Sequence, residues 1–214
     1  MSRDAILAKI DRANAGRAGT DVKADADALI TEPDRFRATL PDTPVYDRFV
    51  AKATSETVTA TVEDLTSLAD LPKAVTAYME AKDLPRRIAL QPREALTALD
   101  WSGFETVAKA EMNETLAVTY ADAGIAETGS LVFQTAPDAP VLLNFLPLHH
   151  LVVVRRSTIL PHMEDAFDHF GTAAADQRRS LNIITGTSGT ADIEAKNVRG
   201  AHGPRFMHIY SVAE

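Results

Sequence analysis

Residues 116–135 read LAVTYADAGIAETGSLVFQT, and the way this stretch divides decides the fold. Leu116–Tyr120 is an apolar run with valine, threonine and tyrosine, the composition and length of a buried strand. A glycine-flanked turn follows at 124–129, and a second apolar run covers 131–135. Toward the N-terminus the pattern alternates strand and helix. A β-branched run at 57–62 precedes a helix at 71–82, which places Val75, Tyr78 and Met79 on one face. A strand at Arg87–Leu90 and a helical stretch at 95–98 repeat the unit, and such alternation predicts a largely parallel sheet with covering helices. Toward the C-terminus, apolar runs at 131–135, 141–146 and 151–155 are joined by short turns such as Pro137-Asp138-Ala139-Pro140. Short connections imply antiparallel neighbours. A helix at Met163–Phe170, a strand at 181–185 running into Gly186, and a last strand at 205–212 complete the pattern. The expected class is α/β: a Rossmann-like mixed sheet with covering helices and an antiparallel insertion.

Ahead of this part, Ile6, Leu7 and Ile10 recur at helical spacing in a short amphipathic helix. Residues 15–44 mix small and charged residues with Gly16, Gly19, Pro33, Pro41 and Pro44 and read as a surface connector. The expected division is 1–44 as helix and connector and 45–214 as the α/β domain.

Composition narrows the function. A net charge of -8 disfavours nucleic-acid and membrane-surface partners, both of which require clustered Lys and Arg. The apolar stretch 141–154 is interrupted by Asn144, Pro147, His149 and His150, so no membrane span is expected. Asp4, Lys9 and Asp11 fall where a signal peptide needs an unbroken apolar core, which points to the cytoplasm. The absence of cysteine excludes thiol nucleophiles, disulfides and iron–sulfur ligation by this chain itself, and no cofactor is expected.

Two loops carry the candidate chemistry. In the first, Gly124 and Gly129 permit close ligand approach, Thr128 offers a hydroxyl, and Glu127 offers a carboxylate suited to a base or nucleophile. The competing reading is that Thr128 and Gly129 simply shape a hairpin. In the second, Gly186, Ser188, Gly189 and Thr190 follow a strand, and Asp192 and Glu194 supply acids to what reads as a first helical turn. A strand-to-helix glycine loop suits an anion, although the stretch is neither a Walker loop nor a dinucleotide fingerprint; plain helix capping by Thr190 competes. Asp192 and Glu194, two apart, would face different directions on a helix. His202, beside Gly203 and just ahead of the last strand, is a candidate acid or donor to an anion. Together Glu127, His202 and Asp192 are the candidate catalytic residues. His162, Asp165 and His169 share one helix face at i, i+3 and i+7, but an ordinary wet face explains them, and no metal is expected. His149 and His150 project to opposite faces of a strand, and Trp101 reads as core.

Ile125-Ala126-Glu127-Thr128-Gly129-Ser130-Leu131, with Thr190-Ala191-Asp192-Ile193-Glu194 and the following Gly200, His202, Gly203 and Pro204, resembles the signature of the lactate-utilisation (LUD) domain family, in particular its stand-alone members. The resemblance covers residues 45–212. It implies a fold similar to the sugar-phosphate isomerase, CoA-transferase and formyltetrahydrofolate cyclo-ligase group. It further implies a part in oxidising L-lactate to pyruvate beside iron–sulfur partner proteins; the two loops are expected to form one pocket in which Glu127 and His202 meet a small carboxylate such as lactate or pyruvate. The family pattern favours proline and a basic residue where this chain has Thr187 and Gly189, which leaves Arg199 or Arg205 to supply positive charge. Two other functions stay open: an enzyme acting on a phosphorylated, folate or CoA-thioester substrate, and a metabolite-sensing module.

Overall fold

The computed structural model describes residues 2–15, 21–32, 34, 37–171, 178–191 and 197–213. The chain divides into two compact units, Met1–Leu40 and Pro41–Glu214.

The first unit holds helix α1 (Arg3–Asn14), whose Ser2 hydroxyl accepts from the Ala5 amide, and helix α2 (Val22–Thr31). The connector expected across 15–44 therefore contains a helix. Its cause is local: Asp21 accepts from the Lys23 and Ala24 amides as an N-cap, and no glycine or proline interrupts the following turns.

The second unit begins with α3 (Val45–Ala53), followed by strand β1 (Thr61–Leu65), helix α4 (Leu71–Ala81), strand β2 (Arg87–Leu90), helix α5 (Glu94–Thr97) and strand β3 (Glu105–Val107). Strands β4 (Leu116–Tyr120), β5 (Ala123–Ile125), β6 (Ser130–Gln134), β7 (His149–Arg155) and β8 (Ile159–Leu160) then lead to helix α6 (Met163–Phe170). Strands β9 (Leu181–Ile184), β10 (Gly189–Ala191), β11 (Asn197–Arg199) and β12 (Phe206–Val212) complete it. The main sheet has six strands in the order β1-β12-β7-β4-β2-β3, all parallel. A separate four-stranded sheet, β8-β5-β6-β9, holds the antiparallel pairs β5·β6 and β6·β9. The α/β class and an antiparallel part are both present, but β6 takes β5 and β9 as its antiparallel partners, whereas the 151–155 run expected beside it is β7 of the parallel sheet.

Alternation along β7 explains the layering. Leu151 and Val153 face α4, packing with Val75, Met79, Ile88 and Tyr210. Val152 and Val154 face the other way, toward Phe49 of α3 and Leu131 and Phe133 of the small sheet. The far face of that sheet packs Ile125 and Val132 against Ala166 of α6. At roughly 1.5–3 kcal/mol per fully buried large aliphatic side chain, these seams are the main stabilising term. Trp101 is core, its indole N–H donating to the Leu96 carbonyl at 2.8 Å. No helix among the described residues is long and apolar enough to cross a membrane.

Three local expectations fail. Of the 57–62 run, only Thr61 and Val62 are strand. Val58 and Thr59 instead donate to the Ser55 carbonyl in a tight turn, Thr59 takes a positive φ of 63°, and β1 starts two residues later. The 141–146 run forms a 3-10 turn at Val141–Asn144 between Pro140 and Pro147; β6 already has both edges occupied by β5 and β9, so no ladder remains for it. The segment after Gly186 is not a helix start. Thr190 lies in β10, which pairs antiparallel with β11. The cause is extended pairing, with the Ser188 amide donating to Pro204 at 2.8 Å and the Gly200 amide to Ser188 at 2.9 Å.

Candidate functional site

The 124–129 turn closes the β5–β6 hairpin. The Gly129 amide donates to Ile125 at 2.9 Å, and Gly129 takes a φ of 68° that side chains disfavour. A Cβ there would sit 2.6 Å from the Ala53 nitrogen, and one at Gly124 would sit 3.1 Å from the Phe49 ring. Both glycines therefore admit α3 rather than a ligand. The hairpin is pinned to the end of β8, since the Ala126 and Glu127 amides donate to Leu160 and Pro161 at 2.8 and 3.1 Å. Glu127 turns to α6, where its Oε2 accepts from the Met163 amide at 3.1 Å and lies 3.6 Å from His162 Nδ1.

Pairing of β6 with β9 sets the starts of the two predicted loops side by side. Ser130 Oγ lies 2.6 Å from both Thr128 Oγ1 and Thr185 Oγ1, a continuous row of hydroxyls. Beyond Thr185 the paths separate. Gly186, at φ 70°, crosses directly over Val58, and the Thr187 amide donates to the Val58 carbonyl at 3.2 Å while its hydroxyl meets Thr59 at 2.6 Å. A proline at 187 has neither donor, so threonine here ties the loop to the start of β1. Ser188 packs on Gly203, whose added Cβ would meet Ser188 Cβ at 3.1 Å. His202 is exposed, and Asp192 and Glu194 lie outside the described residues.

The second loop borders a cavity of about 880 Å³ at the amino ends of β1 and β12, a size typical of ligand sites. Thr59 and Thr61 line it from the entry to β1, Tyr78 and Lys82 from the end of α4, Thr187, Val198 and Arg199 from the loop and hairpin, and Arg205, Phe206, Met207 and His208 from the entry to β12. Glu127, His202 and the predicted glycines do not line it. Among the described residues Lys82, Arg199 and Arg205 make no ion pair with a carboxylate.

The buried wall of this cavity is a titratable cluster. His208 Nδ1 lies 2.6 Å from Thr61 Oγ1, and its Nε2 lies 3.4 Å from Glu63 Oε2, an ion-pair distance without hydrogen-bond geometry. Burial lowers the His208 pKa, opposed by Glu63 and reinforced by Lys82. Tyr78 meets His149 Nδ1 at 3.0 Å; burial pushes the phenol up to about 12 and, with Lys82, lowers His149. His150 faces the opposite side of β7, its Nε2 2.7 Å from Thr119 Oγ1, and full burial pushes its pKa down to about 3.

The carboxyl ends of strands are where open α/β sheets commonly bind ligands, and those of β2 and β4 are filled by the chain's own groups. Arg93 pairs with Asp122 at 2.7 Å, the Tyr120 amide donates to Gln91 at 2.5 Å, and the Gln134 amide donates to Asp122 at 2.7 Å. Only about 10 Å³ of free space remains among them, too little for a ligand. Arg199 and Arg205 are the only cavity residues the sequence singles out for positive charge. Tyr78, Lys82 and His208 carry no motif; the alternation Phe206-Met207-His208-Ile209-Tyr210 was the available signal, placing His208 on the α4 face.

A family model described as the LUD domain matches residues 97–212. Among similar proteins, YkgG of Escherichia coli (strain K12) is 38% identical over 115 residues, covering 52% of this chain and 49% of that one. Lactate utilization protein C of Macrococcus caseolyticus is 32% identical over 133 residues, covering 61% and 57%. Lactate utilization protein C of Bacillus subtilis (strain 168) is 32% identical over 119 residues, covering 53% and 49%. The aligned region thus spans about half the length of these curated relatives. A crystal structure of a DUF162 family protein from Deinococcus radiodurans superposes with a TM-score of 0.61 at 20% identity, covering 82% of this chain and 100% of that one. That likeness speaks for the fold. Because the family match takes in more than half of the 214 residues, this chain belongs to the LUD domain family.

Proposed function

We propose that this chain serves L-lactate utilisation in the cytoplasm as a carboxylate-binding subunit that works beside iron–sulfur partner proteins. The observation that carries the reading is the amino-end cavity, where Lys82, Arg199 and Arg205 stand without carboxylate partners among the described residues. The relatives named lactate utilization protein C support the metabolic setting. A small 2-hydroxy or 2-keto acid fits the chemistry: a guanidinium grips a carboxylate through two parallel hydrogen bonds, and the Thr59, Thr61 and Thr187 hydroxyls offer partners for the oxygen on the second carbon. Partly buried His208 and Tyr78 hold the wall of the site in its neutral form. The lack of cysteine fits a division of labour in which electrons pass through partners.

Titration calorimetry with L-lactate and with pyruvate tests the binding half. The wild type is expected to bind one of them, and Arg205→Gln to weaken it about tenfold or more, as for one charge-assisted hydrogen bond. No heat from either acid at millimolar concentration, or full affinity in an Arg199→Gln/Arg205→Gln double variant, overturns it. Co-purification with proteins rich in iron and labile sulfide tests the other half. A clean monomer from lactate-grown cells, with normal lactate oxidation after gene deletion, would sink that half.

A further inference from the structure

We propose that Glu127, His162 and Glu164 form a site for one divalent transition cation of the Zn²⁺ class, separate from the carboxylate cavity and independent of the function proposed above. One ligand atom from each of the three lies within 4.8 Å of the other two. The grouping is long-range. It arises because β5 runs parallel to β8, with Gly124 opposite Ile159 and Ile125 opposite Leu160, so that the hairpin tip meets the start of α6.

Two of the three ligands are oriented by the backbone. The Glu127 amide donates to Pro161 at 3.1 Å, and Glu127 Oε2 accepts from the Met163 amide at 3.1 Å, which fixes both the position and the plane of its carboxylate. The His162 amide donates to Asp165 Oδ2 at 2.9 Å, which fixes the backbone beneath the imidazole. Supporting bonds of this kind are what metal ligands need to hold their geometry.

The imidazole is the independent observation. His162 Nδ1 is shut off from solvent, makes no hydrogen bond and lies 3.6 Å from Glu127 Oε2. Tetrahedral ligands at bond lengths of about 2.0–2.2 Å stand about 3.4 Å apart, so the Glu127–His162 pair is already at ligand spacing. Glu164 is exposed and needs only a side-chain swing of about 1 Å to match it. Charge argues the same way. Two carboxylates share the cluster, and among the described residues neither pairs with a lysine or arginine. A divalent cation would cancel that repulsion. One nitrogen and two carboxylate oxygens suit Zn²⁺, Co²⁺ or Mn²⁺. Three protein ligands leave a fourth position open for water, the arrangement of reactive rather than structural zinc sites.

The test uses the full chain, stripped with chelator and titrated with Zn²⁺, with Co²⁺ replacing it as a visible-absorption probe. One equivalent is expected to bind, giving the intense d–d bands of a four-coordinate site. Glu127→Gln keeps an acceptor for the Met163 amide and so preserves the fold, but removes a charged ligand; it and His162→Ala should each weaken binding about 100-fold. His169→Ala, whose ring packs on Phe170 outside the cluster, should bind normally. Unfolding of each variant in chelator separates lost binding from lost structure. Wild-type protein that binds no Zn²⁺ below millimolar concentration, or a folded His162→Ala that binds as tightly as wild type, refutes the site.

Discussion

Replacing Gly186 by alanine tests how the cavity is assembled, because this residue carries the second loop across β1's entry. Its φ of 70° lies in the left-handed region, which costs a residue with a Cβ about 1–2 kcal/mol. The steric cost is separate. The added Cβ would stand 1.9 Å from the Val58 carbonyl oxygen and 2.6 Å from its carbon, both backbone atoms that no rotamer change can move. The loop must lift by about an ångström. That breaks the Thr187 amide's bond to the same carbonyl, worth about 1 kcal/mol, and parts the Thr187 and Thr59 hydroxyls. The expected loss is about 3 kcal/mol, or about 6–12 °C in unfolding midpoint for a chain of this size. Urea unfolding followed by circular dichroism measures it. Because Thr187 and Arg199 line the cavity, carboxylate affinity should fall as well. A Gly186→Ala protein within about 0.5 kcal/mol of wild type would refute the assigned path of the loop, since surface substitutions free of such constraints fall in that range.

Acidification should destabilise the fold through His150. Burial lowers its folded pKa to about 3 from the ordinary histidine value of 6.5, so between those values the unfolded chain holds the extra proton. Stability is then fully present above about pH 6.5 and falls as pH drops, by up to about 1.4 kcal/mol per unit per such histidine. Burial lowers His149 and His208 in the same direction. Urea midpoints at about pH 5 and 7 should differ in wild type and differ less in His150→Gln; equal wild-type midpoints contradict the argument. Asp122→Ala should cost about 2–3 kcal/mol, because it strips both Arg93 and the Gln134 amide of a partner in a tightly filled groove. A loss below about 0.5 kcal/mol would show that the groove is wetter than its packing implies.

The parts of the fold legible in the sequence are those set by local pattern. α4, α6, β2 and β4 fall where periodicity and strand composition put them, since each has a continuous apolar face and a clear stop. The family signature was legible for a similar reason, as its pieces are short contiguous runs. Failures came where a distant contact overrules local preference. Residues 57–60 have strand composition, but Val58 must turn to receive Thr187 from more than a hundred positions away. Thr190 has the chemistry of a helix cap, but Ser188 and Gly200 are held extended by pairing around Pro204.

The candidate site divides along the same line, and the division explains why Glu127 and the cavity separate. A loop's residues announce what chemistry they offer, not which neighbour they will meet. Glu127 stands out because a carboxylate between glycines is conspicuous, yet both glycines are explained by helix α3 behind them. Its true neighbour, His162, is 35 positions away, and its local spacing points only to its own helix face, where Asp165 secures the backbone and His169 packs on Phe170. The cavity behaves in the opposite way. Tyr78, Lys82 and His208 lie in a helix and a strand whose patterns are fully explained by packing, so nothing local marks them. They converge because α4 ends where β12 begins, at the amino edge of a parallel sheet in which Arg93, Asp122 and Gln91 fill the carboxyl ends of β2 and β4. With the β2 and β4 ends filled, Lys82, Arg199 and Arg205 on the opposite edge, which make no carboxylate pair among the described residues, have room for the proposed ligand.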